Sequence, residues 1–552
     1  MAYTQHASAG VYTREIDLSE RVAAVSTSIG AIVGASNKGP INTRTLITST
    51  RDFIELYGIP DASLSFMHYS ALAFLSESSQ LYVTRVANGA LYGGVLVTLT
   101  PSSINTTTPF TSGYVDPGIS FPFGSDDLFV VYGKDPGSWN NDLSVHIYPK
   151  TWDAESNLFI FEVFQGTSQV AVEKFEATLN RGLDGYGAQT NLADQVNLRS
   201  AYVRIRQNLS NTQYLVNPAQ RLIRSITGYS NTEQPLYFAG GSNGNPVQPS
   251  HVLNGWDLYE DPEEVTINIL IQGGNLVYLD IDGNSVLDTS IPLRMAEICE
   301  SRMDCMSVLD VPSDLQKTKD AIEYRRRTLN LDSSYAAIYS PDLYVSDSFS
   351  AKKLYVPPSG YVAAVFAKTD RLAAPWYAPA GMNRGSLNIL GVREVYDQAM
   401  RDMLSSNQIN SMRMIYGSGI KVWESLTMQS KASALSEINV RRLMILLEVS
   451  ISTAALYSVY EPNDAILWAR LRDLCNRFLE PIKRGRGIYD YVVICDETNN
   501  TVDLIASGDT VLDVYVDPAL PVKRIHLNAI ITKTGGIQFA VSQMQNTVAT
   551  TQ

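Results

Sequence analysis

Chemistry needs particular residues at particular spacings, and this chain offers several near approaches to such patterns. The stretch GASNKGP (34–40) comes nearest to a phosphate-cradling loop, but Lys38 precedes the glycine and Pro40 follows it, so the Gly-Lys-Ser/Thr order is missing. It reads as a turn. GGSNGNP (240–246) and DGYG (184–187) have glycines without the dinucleotide spacing, and both read as loops. In DIDGN (280–284) the glycine comes too early for a calcium loop, and Ile291 stands where the closing glutamate belongs, so Asp282-Gly283 suits a hairpin turn instead.

The five histidines, at 6, 68, 146, 251 and 526, are scattered singly with no HExxH pair. No GxSxG elbow occurs, and Gly417-Ser418-Gly419 has the wrong spacing for one. Cys299 and Cys475 fall on amphipathic helical stretches, where a small buried side chain is the plain reading. The neighbouring acids Glu263-Glu264 and Asp126-Asp127 point to opposite faces of an extended chain and cannot share a substrate. The expectation is therefore no catalytic residue, no cofactor and no metal.

The elements that would position a site form a chain of 552 residues, 45% apolar and 18% charged, which length alone divides into about three or four globular domains. A formal charge of −13 repels phosphate backbones, so nucleic acid is not an expected partner. Four cysteines, at 299, 305, 475 and 495, are too few and too irregular for a disulfide framework, which suggests synthesis in a reducing cytoplasm. The first residues lack a cationic segment followed by an apolar core, so no export signal is read. Leu443 to Tyr460 approaches the minimum length of a membrane span, but Glu448 stands inside it. A buried helix is expected there, and no membrane insertion.

Along the chain, SIGAIVGAS (28–36), TLIT (45–48) and QLYVTRVAN (80–88) read as strands, with helices between them. Ser49 and Asp52 have the spacing of a helix cap and Gly58 marks its stop. From about 91 to 125 the composition turns to Thr, Ser, Pro and Gly, the clearest boundary. DDLFVVYGK, LSVHIYP and LFIFEVFQ then suggest an antiparallel, β-rich domain. From 264, strands and helices alternate as in a parallel-sheet layer. Near the end come two long helices, the second capped by Asn463 or Asp464 and ended at Gly485, and then the strands YDYVVICDE, TVLDVYVDP and RIHLNAIITK. A Gly535-Gly536 pair precedes GIQFAVSQM, where Ile537, Phe539 and Val541 alternate with Gln538, Ala540 and Ser542.

The run GVYTREIDLSERVAAVSTSIGAIVGASNKGPINTRTLITSTRDFIELYG with FLSESSQLYVTRVAN closely resembles the opening of contractile tail sheath proteins of tailed bacteriophages. DPGSWNNDLSV (135–145), VPPSGYVAAVFAKTDRLAAPWYAPAG (356–381), NQINSMRMIYGSGIKVWESLT, NVRRLMILLEVSIS and YDYVVICDETNNT extend the likeness over about 1–90 and 330–535. The resemblance implies a mixed α/β, multidomain fold with a split core. The expected divisions are an N-terminal arm at 1–20, the first part of the core at 21–95, a β-rich outer domain at 96–262, an inserted α/β domain at 263–345, the C-terminal core at 346–535 and a C-terminal arm at 536–552.

It also implies a homo-oligomer of hexameric rings stacked helically around a tail tube, with tube, baseplate and tail terminator proteins as partners, in the tail of a virion made in host cytoplasm. Terminal strands are expected to pair with neighbouring subunits: Gly10, Val11, Tyr12, Thr13 and Ile16 from one arm, and Ile537, Phe539 and Val541 from the other. They would lie beside TVLDVYVDP or the strand of Ile525 and Leu527. Lys483, Arg484 and Arg486 are candidates for contact with the tube, although their place at a helix C-terminus is explained by the dipole alone. Two alternatives remain: the sheath of a cellular contractile injection or secretion system, and an α/β enzyme with its ligand at strand ends in 264–345.

Overall fold

A computed structural model describes residues 28–98, 107–149, 158–168, 170–179, 182–183, 187, 189–210, 236–274, 278–281 and 284–525. The first apolar run becomes β1 (Gly30–Gly34), buried at all five positions. Next come β2 (Arg44–Ile47), a helix (Thr50–Tyr57), a second helix (Met67–Leu75) and β3 (Leu81–Arg85). The Ser49 hydroxyl accepts the Asp52 amide proton at 3.1 Å, and Gly58, at φ 85°, ends that first helix in a conformation that glycine tolerates.

The chain then leaves this layer. It forms β4 (Gly94–Thr98), β5 (Thr107–Pro109), β6 (Asp127–Gly133), β7 (Leu143–Pro149), β8 (Phe159–Gln165), β9 (Glu173–Ala177), β10 (Val203–Gln207) and β11 (Leu236–Tyr237). These make two antiparallel sheets, ordered β10-β6-β4-β5 and β11-β7-β8-β9. Val95, Val97, Phe129 and Val131 from one share a core with Val145, Ile147, Phe161 and Val163 from the other. Every second residue of these strands is apolar and inward, the pattern that pairs two sheets across one core.

On its return the chain bridges Asn88 to Gly244 and Asn245 and enters a helix (Pro249–Asp257). There follow β12 (Ile269–Ile271), the hairpin β13 (Tyr278–Ile281) and β14 (Asn284–Leu287), a helix (Ser290–Arg302), β15 (Met306–Asp310), and β16 (Ala336–Ser340). After β17 (Leu343–Ser346) and β18 (Lys353–Val356) come a helix (Ser359–Leu372), β19 (Ser386–Leu387), β20 (Gly391–Val392), a helix (Gln398–Ser406), β21 (Ile409–Ile415) and β22 (Gly419–Val422). Nine of the strands form one sheet, ordered β19-β22-β21-β16-β15-β12-β1-β3-β2 and parallel from β21 to β3.

This corrects the expected division at 263–345. β12, β15 and β16 lie at the centre of the sheet that holds β1 and β3, so that segment is part of the core and not a separate inserted domain. The physical reason is burial on both faces. Ile32, Val308 and Tyr339 pack with Phe74 and Phe366 on one side, while Val33, Leu309 and Ile338 pack with Trp256 and Met295 on the other. The strand expected from 264 begins only at Ile269 and ends at Ile271, just before Gly273 and Gly274 turn with φ of 64° and 72°.

The expected core at 346–535 also divides. Residues through β22 complete the sheet, whereas the helices Ile438–Ala455 and Ala465–Arg484 and the strands β23 (Ile488–Ile494) and β24 (Asp513–Pro518) have an apolar cluster of their own. Leu443 and Leu447 meet Phe478 and Leu479 there, which explains the apolar run that approached spanning length, and Glu448 stays exposed. Among the described residues no helix is long and apolar enough to cross a membrane. Asp464, not Asn463, caps the second helix, accepting from the amides of Ile466 at 3.0 Å and Leu467 at 2.9 Å. Buried Arg442 reaches Asp370 at 2.5 Å and fastens this last unit to the sheet's helical layer.

Candidate assembly site

β23 and β24 pair antiparallel, with Val492 opposite Tyr515 and Val493 opposite Val514. Their alternation sorts the side chains. Tyr491, Val493, Val514 and Val516 pack toward the helix Ala465–Arg484, while Tyr489, Val492 and Tyr515 are 65%, 55% and 59% exposed. Among the described residues this sheet has two strands only, so each strand keeps one edge without a partner strand. A two-stranded sheet is marginal by itself, and a free edge offers amides and carbonyls to another chain.

The expected donor strands, Gly10 to Ile16 and Ile537 to Val541, lie outside the described residues, as does Leu527. Ile525 is described; it is 87% exposed and follows β24 without joining a strand. The expected cations are in place at the helix end, and two are paired within the chain: Lys483 Nζ to Asp490 at 2.7 Å, and Arg484 Nε to Glu480 at 3.0 Å. The hydrogen bond between Lys483 and Asp490 raises the lysine and lowers the carboxyl from their ordinary values. Arg486 occupies the turn into β23 with φ 62°.

Two of the glycine loops that failed as phosphate sites, GASNKGP and GGSNGNP, come together at one joint between the large sheet and the β-rich unit. Arg85, fully buried at the end of β3, donates from one nitrogen to the carbonyls of Gly39 and Pro136, each at 2.7 Å. Asn243 donates to the Asn37 side chain at 2.5 Å and accepts from the Ser138 amide at 2.9 Å. Lys38 lies between the rings of Trp139 and Tyr202 and donates to the Glu55 carbonyl at 2.9 Å. A side chain on Gly137 would strike the Asn37 carbonyl. GASNKGP, DPGSWNN and GGSNGNP are thus three sides of one seam. No single stretch of sequence announced it.

A cleft of about 420 Å³ opens beside this seam, outside the carboxyl ends of β1 and β3, where α/β folds commonly bind ligands. Its wall includes Ser36, Ser65, Phe66, Asn243 and Val247, and no charged side chain lines it. Asp310, at the end of β15, is occupied otherwise: it accepts from the amide and hydroxyl of Ser359, both at 2.7 Å, and from the Gly274 amide at 3.1 Å. Burial pushes this carboxyl up to about 7, and its place is at the start of the helix Ser359–Leu372. His68 is buried against the Tyr57 carbonyl. Among the described residues no group of three or more potential metal ligands gathers.

The chain is thus a mixed α/β protein with a long split sheet, a β-rich excursion seamed to it, and a terminal unit whose two-stranded sheet has open edges among the described residues. Residues 274–428 match the phage tail sheath protein central domain, and residues 430–532 the phage tail sheath C-terminal domain. The latter half of the chain is thus similar to phage tail sheath proteins over both of these domains. It is 29% identical over 431 residues to the tail sheath protein of Vibrio phage KVP40, covering 74% of this chain and 62% of that one. To the tail sheath protein of Enterobacteria phage T4 it is 29% identical over 341 residues, covering 59% of this chain and 50% of that one. It therefore spans about half to three fifths of the length of these relatives. The fold is similar to that of the sheath tail protein from Desulfitobacterium hafniense, with a TM-score of 0.55 at 12% identity over 92% of this chain and 100% of that one. It is also similar to the PVC sheath complex of an extracellular contractile injection system in the contracted state, at 0.52 and 14% identity over 96% and 98%.

Proposed function

We propose that this chain is the structural subunit of a contractile phage tail sheath. It assembles as hexameric rings stacked helically around a tail tube, and shortens to drive that tube through the host envelope. Tube, baseplate and tail terminator proteins are its partners, the virion tail is its location, and its work is mechanical, with no catalysis. The observation that carries this reading is the short β23–β24 sheet with its open edges, in a chain whose residues 274–428 and 430–532 match phage tail sheath domains. The arms 1–20 and 536–552 supply strands to that sheet in neighbouring subunits, whose backbone groups satisfy its edges.

Deleting either arm and viewing the purified protein by negative-stain electron microscopy tests this. Intact chain should give tubes or stacked rings and each truncation isolated particles; long normal sheaths from a truncated chain would refute the strand exchange. The tube-facing role of Lys483, Arg484 and Arg486 has a separate test. Reversing the charges at all three should weaken tube-templated assembly most at low salt, where screened contacts count most. The fold likeness to an injection-system sheath supports a second reading, a cellular contractile device, and capsid and terminase genes beside this one would separate the two.

A further inference from the structure

The cysteines that look scattered in sequence include one close pair. Cys299, in the last turn of the helix Ser290–Arg302, and Cys305, just before β15, have their sulfur atoms 3.5 Å apart. Both are fully buried. The reversal that brings them together is Met303, left-handed at φ 60° and 57% exposed, so the thiols lie directly beneath a surface turn. Arg302 pins that turn by bonding Asp304 at 2.7 Å and the carbonyls of Tyr259 and Val265 at 2.9 and 2.8 Å.

We propose that Cys299 and Cys305 are an oxidative modification site, closed to an intramolecular disulfide by a peroxide once the protein leaves a reducing compartment. The two thiols face each other at 3.5 Å, so the same chemistry can start at either sulfur, for instance at Cys299. Its thiolate attacks one peroxide oxygen, forms a sulfenic acid and expels hydroxide. The Cys305 thiolate then attacks that sulfur and expels a second hydroxide. With the two thiol protons, the sum is two thiols and one hydrogen peroxide giving one disulfide and two waters; the sulfurs lose two electrons and the peroxide gains them.

Closing the bond needs the sulfurs to approach from 3.5 Å to about 2.05 Å. Burial raises the Cys305 thiol well above its ordinary value, so the reaction waits on opening of the Met303–Asp304 turn and runs faster at alkaline pH. Cys475 and Cys495 differ. They sit in separate apolar clusters, and the Cys495 sulfur faces the Asn500 amide at 3.9 Å.

The full-length protein treated with hydrogen peroxide, then unfolded with an alkylating agent and no reductant, decides the matter by mass. The expected product carries two alkyl groups in place of four, with Cys299 and Cys305 joined in the peptide map and Cys475 and Cys495 alkylated. Its midpoint of thermal unfolding should rise by a few degrees, an increase that dithiothreitol removes from the wild type and that Cys305→Ser never shows. Four alkylated cysteines, a different pairing, or sulfinic acid at Cys299 or Cys305 would overturn the proposal. The wild-type mass alone suffices if the variant does not fold.

Discussion

The ammonium of Lys38 stands 4.8 Å from the centre of the Trp139 ring, so the loop after β1 is gripped by the β-rich unit. A cation over an indole face, largely out of water, contributes about 1 to 2 kcal/mol. The contact couples the two main bodies of the subunit.

Replacing Trp139 by Ala should therefore cost about 3 kcal/mol, from lost packing as well as the lost ring face. In a double-mutant cycle, Lys38→Met with Trp139→Leu should show a coupling of about 1 kcal/mol by urea unfolding. Additive effects would mean that the two side chains merely lie close together.

Breaking the pair of Arg442 and Asp370, each with a side chain 5% exposed, should be harsher. Asp370→Ala strands a buried guanidinium and should cost about 3 to 5 kcal/mol, while the double change to Asp370→Leu and Arg442→Met should recover much of it. Guanidinium melts of these two variants beside the wild type measure this.

Burial pulls the His68 ring down to about 4. The unfolded chain takes up that proton near pH 6.5, so the stability due to the neutral ring is complete above about pH 6.5 and lost as pH falls toward 4, by roughly 3 kcal/mol. Asp310 acts in the opposite sense, because burial holds its carboxyl at about 7 and the stability it lends is lost as pH rises from near 4. The difference in unfolding free energy between wild type and His68→Phe should thus change steadily between pH 6.5 and 4, and a difference independent of pH would refute the buried neutral ring.

On the open face of the terminal sheet, Val492→Asp with Tyr515→Asp should leave subunit stability within about 1 kcal/mol, since both side chains are exposed. Assembly into long tubes should be lost, as judged by sedimentation and microscopy. Tubes of normal length would argue that this face stays free in the sheath.

Local chemistry was the most legible part of the sequence. Ser49, Gly58 and Asp464 act where their side chains and backbone freedom placed them, because a cap involves only neighbours along the chain. Membership of a sheet is not local. The strand Ile269–Ile271 looks the same whether it joins β1 or begins a new domain, and only burial on both faces decides. The terminal sheet was half legible: YDYVVICDE and TVLDVYVDP could be read as strands, but not that Asp490 turns back to hold Lys483. The buried Arg85 gave no sign at all, since the two carbonyls it joins belong to Gly39 and Pro136, far apart along the chain.

The split sheet also imposes a timetable on synthesis. β1 finds β3 early, but its other neighbour, β12, is made about 235 residues later, a wait of roughly 10 to 50 seconds at ordinary ribosome speeds. Through that interval the flank of β1 is a raw apolar strand, while the β-rich excursion has all its own partners and can fold outside the exit tunnel. The seam at Arg85 and Lys38 uses no residue beyond Tyr202 for these contacts, so its partners all leave the ribosome before β12 does.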